Sequence, residues 1–113
     1  MYIKMKDYTK VRFIKISDNN DPFNFYIDAT TMFDPRLRIS ALKGQYQKYL
    51  ETDELYRPVY KVLEKDYSFC CVFKGSFDDL DQIKHKRNEL YEFYNEKLKG
   101  HIHKPQSNII SFD

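Results

Sequence analysis

Along this chain the apolar positions first alternate with polar ones, then recur at helical spacing, then run together, then recur again. Val11–Ile16 (VRFIKI) is rich in β-branched and aromatic residues and predicts a strand. Ser17–Pro22 (SDNNDP) predicts a polar turn, because Asn and Asp tolerate left-handed backbone. Phe23–Ile27 then returns as a second strand, giving an antiparallel hairpin with a six-residue loop. Within the stretch Asn24–Lys43, Thr30, Thr31 and Asp34 are candidate caps, and Pro35 suits the first helical position. From Asp34 to about Leu50, the residues Ile39, Leu42, Tyr46, Tyr49 and Leu50 form one apolar stripe and predict a helix. Gly44 lies inside it at a cost of about 1 kcal/mol relative to Ala, which points to close packing or to an early end of the helix.

The second half repeats the theme. Glu51–Pro58 is a polar connection, and Tyr60–Leu63 is either a short helical turn or an extended piece. Tyr67–Phe73 (YSFCCVF) is continuously apolar after Ser68 and predicts a central strand covered on both faces. Ser76, Asp78 and Asp79 are cap residues for a long helix from Asp79 to about Leu98, with Leu80, Ile83, Leu90, Tyr91, Tyr94 and Leu98 as its stripe. Arg87 falls on that stripe, where a charge needs a partner or a water-filled pocket. Gly100 and Pro105 are expected to stop the helix. The order ββαβα predicts an α/β (α+β) fold, a small and largely antiparallel three-stranded sheet flanked by helices. The chain divides into an N-terminal arm over 1–7, a domain over 8–98 and a C-terminal tail over 99–113.

Composition narrows this picture. The 113 residues suit one compact domain, and with 10 Tyr, 9 Phe and no Trp the core must be largely aromatic. Only 3 Gly and 4 Pro argue against a many-turned β-sandwich. A net charge of +2 neither demands nor excludes nucleic acid, since clustering on one face is what matters. The adjacent Cys70 and Cys71 have no metal spacing and are expected as buried, reduced thiols, which favours an intracellular setting. MYIKMKDYTK has no apolar signal-peptide core, and no apolar run reaches the roughly 20 residues a membrane span needs.

The motifs and their order resemble the GIY-YIG endonuclease domain over about Val11 to Lys97. FIKIS stands where that family reads a segment like IYKIT, and YIDATT at Tyr26–Thr31 stands where YIGSTT is expected. Arg38 and Lys43 fit its R-x-x-x-H-K helix, with Leu42 in the His place. VYKVLEKDYSFCCVF fits the next helix-turn-strand segment. Ile83, Lys86, Arg87, Leu90 and Tyr91 fit the last helix. The resemblance implies a phosphodiesterase scaffold in which a Tyr helps to activate water, an Arg stabilises the phosphorane, and a Glu on the last helix holds a divalent cation. Free-standing versions resembling this chain occur in large DNA viruses, which implies a host cytoplasm or virion setting.

Measured against that resemblance, the departures fall on the chemistry. Tyr26 and Arg38 remain. The first Tyr position is Ile14, the Gly of YIG is Asp28, the His is Leu42, and the metal Glu falls on Arg87, where a guanidinium repels a cation. Glu89 lies about 200° round the helix from Arg87. No catalytic residue is therefore expected, and no cofactor or metal. A salt bridge between Arg87 and Asp28 across the silent site is the expected replacement. Tyr26, Arg38, Lys43 and Arg87 are the candidates for phosphate or nucleic-acid binding, and Ile109, Ile110 and Phe112 for a partner. His101 and His103 lack a third ligand, and the run KHKR at Lys84–Arg87 reads as a solvated face. The tyrosines at 46, 49, 56, 60, 91 and 94 read as core and interface residues rather than a base-stacking platform.

The resulting expectation is a non-catalytic GIY-YIG-like module working through protein contacts, as a component of a large DNA virus particle or a virus-encoded complex. The alternative is a DNA-binding protein or Mg²⁺-dependent endonuclease with a site rebuilt around Tyr26, Arg38, His85 and Glu89. Protein partners lead, nucleic acid stays open as a partner, and membrane insertion is not expected.

Overall fold

The protein is described by a computed structural model covering residues 8–52 and 55–103, with side chains through residue 99. The N-terminal arm, Pro105 and the segment holding Ile109, Ile110 and Phe112 lie outside the described residues, as do the side chains of His101 and His103. The described residues form, in chain order, strands β1 (Val11–Asp18) and β2 (Asp21–Thr30), helices α1 (Pro35–Thr52) and α2 (Tyr60–Leu63), strand β3 (Tyr67–Gly75) and helix α3 (Leu80–His103). The sheet is antiparallel in the order β2-β1-β3, so the first strand is the central one. This is the α+β arrangement expected of the pattern, with Tyr60–Leu63 resolved as a helical turn.

The sheet has two buried faces. Val11 and Phe13 of β1, Phe25 and Ile27 of β2 and Val72 of β3 pack under Ile83, Leu90 and Tyr94 of α3. Ile14 and Ile16 of β1 pack on the other face against Ile39 and Leu42 of α1 and against Val59, Tyr60, Val62 and Leu63. Strand alternation sends odd residues of β1 to one layer and even residues to the other. Lys15 keeps the odd register by laying its ammonium over the Tyr94 ring at 4.7 Å. The tyrosines divide likewise. Tyr46, Tyr49 and Tyr56 surround the buried Tyr60 ring, whereas Tyr91 and Tyr94 pack on Phe25.

Caps fix where the helices start. Asp34 Oδ1 accepts the Arg36 N–H at 2.9 Å, and Pro35 takes the first helical position. Asp79 Oδ1 accepts the Gln82 N–H at 2.9 Å, while Gln82 Oε1 reaches back to the Asp78 N–H at 2.8 Å, a near relative of the capping box.

Several expectations need correction. The hairpin loop is a two-residue Asn19–Asn20 turn, not six residues. Asp18 pairs with Asp21, and its Oδ1 accepts the Asn20 N–H, which makes the acidic ends part of the ladder. The extra β2 residues form a bulge holding Pro22, which has no N–H to give to a ladder. Gly44 neither ends α1 nor marks a tight contact, since a Cβ there would meet nothing within 4 Å. Likewise α3 runs through Gly100 to His103. Lastly, β3 is an edge strand, and Cys70 and Cys71 are exposed rather than buried. Its register slips between Phe13 and Ile14, so Val72 is an extra residue turned to the α3 side. Ser68, Cys70 and Cys71 are left facing water, because the helical layers lean towards β2.

Candidate functional site

A cleft of about 420 Å³ opens beside β2, where the α1 and α3 layers meet its C-terminal half. Tyr26, Asp28 and Thr30 come from β2, Arg38 from α1, Lys84 and Arg87 from α3, and Arg57 from the connection before α2. Alternation along β2 explains the first set. With Phe25, Ile27 and Ala29 turned to α3, Tyr26, Asp28 and Thr30 face the opposite way. Arg38 sits on the first turn of α1 because Asp34 and Pro35 set the start of that helix.

Charge is unevenly spread in the cleft. Among the described residues Asp28 is the only acidic side chain lining it, against Arg38, Arg57, Lys84 and Arg87. Its carboxylate is held in a two-pronged fork, with Arg38 Nε donating to Oδ2 at 2.7 Å and Nη2 donating to Oδ1 at 3.2 Å. The Arg38 side chain is 20% exposed and that of Asp28 8%, so the fork is largely removed from water. Such a pair is strong and geometrically fixed, and the Asp28 carboxylate raises the Arg38 pKa above its usual value, mainly through the hydrogen bond. The expected Arg87–Asp28 bridge is therefore not formed. Arg38 lies closer to Asp28 along the sequence and on the adjoining layer, and it takes both oxygens. Arg87 lines the cleft with its Nε buried and without a hydrogen-bond partner.

Arg87 is instead neighbour to Tyr91, one helical turn on. The Tyr91 hydroxyl accepts the Ile27 N–H at 2.9 Å from the outer edge of β2. Burial pushes the Tyr91 pKa up to about 12, although the Ile27 N–H and the Arg87 charge favour the phenolate. The Tyr26 ring meets Tyr91 edge-on at 6.2 Å.

The structure thus brings Tyr26, Asp28, Arg38 and Arg87 into one cleft and leaves Lys43 out of it. Ile14 is fully buried in the α1-side core and Leu42 is 1% exposed beside it. His85 and Glu89 belong elsewhere. They line a separate hollow with Lys86, whose Nζ donates to Glu89 Oε1 at 2.9 Å, so a site rebuilt from Tyr26, Arg38, His85 and Glu89 is not assembled. Two further cations line the cleft: Arg57, which is not a sequence candidate, and Lys84, which the sequence places only in the solvated KHKR face. Lys84 precedes Arg87 by three residues and so shares its helix face, a signal present in the sequence. Arg57, whose Nη1 donates to Gln45 Oε1, carries no local signal.

A divalent cation does not fit this donor set. The one carboxylate is committed to Arg38, the other charges repel a cation, and no group of three His, Cys, Asp or Glu gathers among the described residues. Nor is any helix among those residues long and apolar enough to cross a membrane. The arrangement suits an anionic group better, with Arg57, Lys84 and Arg87 as donors. Comparison with family models, with curated proteins and with solved structures returns no match for this chain.

Proposed function

We propose that this chain is a GIY-YIG-like domain without phosphodiester hydrolysis, working as a binding module through protein contacts. The observation that carries the loss of hydrolysis is the Asp28–Arg38 fork. An arginine already neutralised by a buried carboxylate has little charge left for a developing phosphorane. Ile14 and Leu42 support the same reading, because both positions serve the α1-side core. Large apolar side chains left in water support protein contacts. Phe33 is 82% exposed and Leu37 60%, close together around the start of α1. The resemblance to free-standing domains of large DNA viruses makes a virus particle or virus-encoded complex the setting we propose.

Recovery from the native setting in a defined assembly tests this reading. The pair Phe33→Asp and Leu37→Asp is expected to release the chain from that assembly without unfolding it, since both side chains are exposed. Deleting 1–7 or 108–113 asks the same question of the two ends. A chain recovered alone, before and after these changes, contradicts the proposal.

A second reading rests on the uncancelled cleft cations. If Arg57, Lys84 and Arg87 meet nucleic-acid phosphates, DNA affinity falls steeply with salt. Lys84→Glu with Arg57→Glu would then flatten that dependence. Salt-insensitive or absent DNA binding removes this reading.

A further inference from the structure

The sheet has two edges, and among the described residues only one is covered. On β2 the Tyr91 hydroxyl takes the outward Ile27 N–H, and Asn24 Nδ2 donates to the Lys61 carbonyl at 3.1 Å. On β3 no strand among the described residues pairs with the outer side, and the helical layers lean away from it. Natural edges of this kind are usually blunted by charge or proline. From Tyr67 to Phe73 this one carries neither, and its one bulge, at Val72, lies beyond the stretch Tyr67–Cys71.

The ladder shows which groups face outward. Ile27, opposite Lys15, turns its N–H away from β1. Lys15 therefore turns its own N–H and C=O towards β3, and its partner Cys70 turns towards β1. Phe69 and Cys71, on either side, present their backbone groups at the open edge. Charges bracket the strand with opposite signs, Asp66 just before it and Lys74 near its end.

We infer that β3 is a homodimer edge, pairing antiparallel with β3 of a second copy of this chain about a two-fold axis at Cys70. In that register Phe69 meets the outward groups of the second copy's Cys71, in both directions. The Lys74 end of each strand then lies over the Asp66 start of the other. This complementarity selects a second copy over an unrelated strand, because a two-fold contact uses the same patch twice. The two Cys70 residues face each other as a close, non-hydrogen-bonded pair, within the Cα separation that a short thiol link spans. The inference goes beyond the proposed function and does not depend on the cleft.

Sedimentation equilibrium of the full chain under reducing conditions is expected to show a reversible dimer. Lys74→Glu alone, or Asp66→Lys alone, is expected to weaken it by about tenfold, and the double variant to restore it, since both positions are exposed and their swap regenerates the pairs. A short thiol-to-thiol linker is expected to join two chains of Cys71→Ser through Cys70, and to join those of Cys70→Ser far more slowly. A chain monomeric at every concentration overturns the inference. So does a dimer unmoved by the charge variants, or linking that proceeds equally through either cysteine.

Discussion

The two walls of the cleft carry similar side chains in opposite electrostatic states. On the α1 wall Arg38 is matched to Asp28 by two hydrogen bonds, and the charge is spent inside the fold. On the α3 wall Arg87 has a buried Nε with no partner, beside Lys84 and across from Arg57. The same guanidinium is thus a structural tie on one side and an unmet donor on the other. A buried charge needs its partner for stability, whereas an unmatched one lowers stability and is kept for what it meets. The Arg38–Asp28 pair on the α1 wall is accordingly part of the scaffold, and the ligand chemistry open to the cleft resides on Lys84 and Arg87 of the α3 wall together with Arg57.

This contrast orders the expected effects of substitution. The largest belongs to Leu42→His, which puts an imidazole into the α1-side core where Leu42 packs. Chemical denaturation is expected to show a loss of about 3 kcal/mol, from lost packing and a polar group without a partner. A neutral result there would mean that the α1 wall is a site rather than core. Next, Asp28→Asn strands Arg38 in its part-buried position and is expected to cost about 2 kcal/mol. Arg87→Met reverses the sign in the same assay. Removing an unpartnered donor is expected to leave stability unchanged or to raise it by up to about 1 kcal/mol. If Arg87→Met cost as much as Asp28→Asn, the contrast between the walls would fail.

A modest loss is expected at Tyr91, where Tyr91→Phe removes the hydroxyl that accepts the Ile27 N–H, at about 1 kcal/mol. Its pH dependence is separable. The folded Tyr91 pKa is about 12, raised from 10.0 by burial, so the unfolded chain loses this proton first. The neutral hydroxyl's contribution is complete below pH 10 and is lost as pH rises from 10 to 12. Stability measured over that window is expected to fall less steeply in Tyr91→Phe than in the parent chain.

How much of this was legible in the sequence depended on whether the cause was local. The stripe Ile39–Leu42–Tyr46 and the caps at Asp34 and Asp79 act within one helix, and α1 and α3 start within a residue of where the pattern puts them. The hairpin was legible in its strands but not in its turn. SDNNDP reads as a loop, yet Asp18 and Asp21 close the ladder once Asn20 and Asn24 occupy the Asp18 carboxylate. The apolar run in β3 pointed to a central strand because the sequence does not reveal the bulge at Val72 or the lean of the helices towards β2. In the cleft, Tyr26, Asp28, Arg38 and Arg87 were legible as a group. The choice of Arg38 over Arg87 as the partner of Asp28 was not, because it depends on the distance between layers. Arg57 comes from a polar connection and reaches the cleft only through tertiary packing.

The most direct test of the central claim is an assay for cleavage of branched and duplex DNA with Mg²⁺ or Mn²⁺, run beside Arg38→Ala. With Arg38 committed to Asp28 and no second carboxylate lining the cleft among the described residues, we expect the parent chain and Arg38→Ala to be equally without metal-dependent cleavage. Cleavage by the parent chain that requires the metal and disappears in Arg38→Ala would contradict the account.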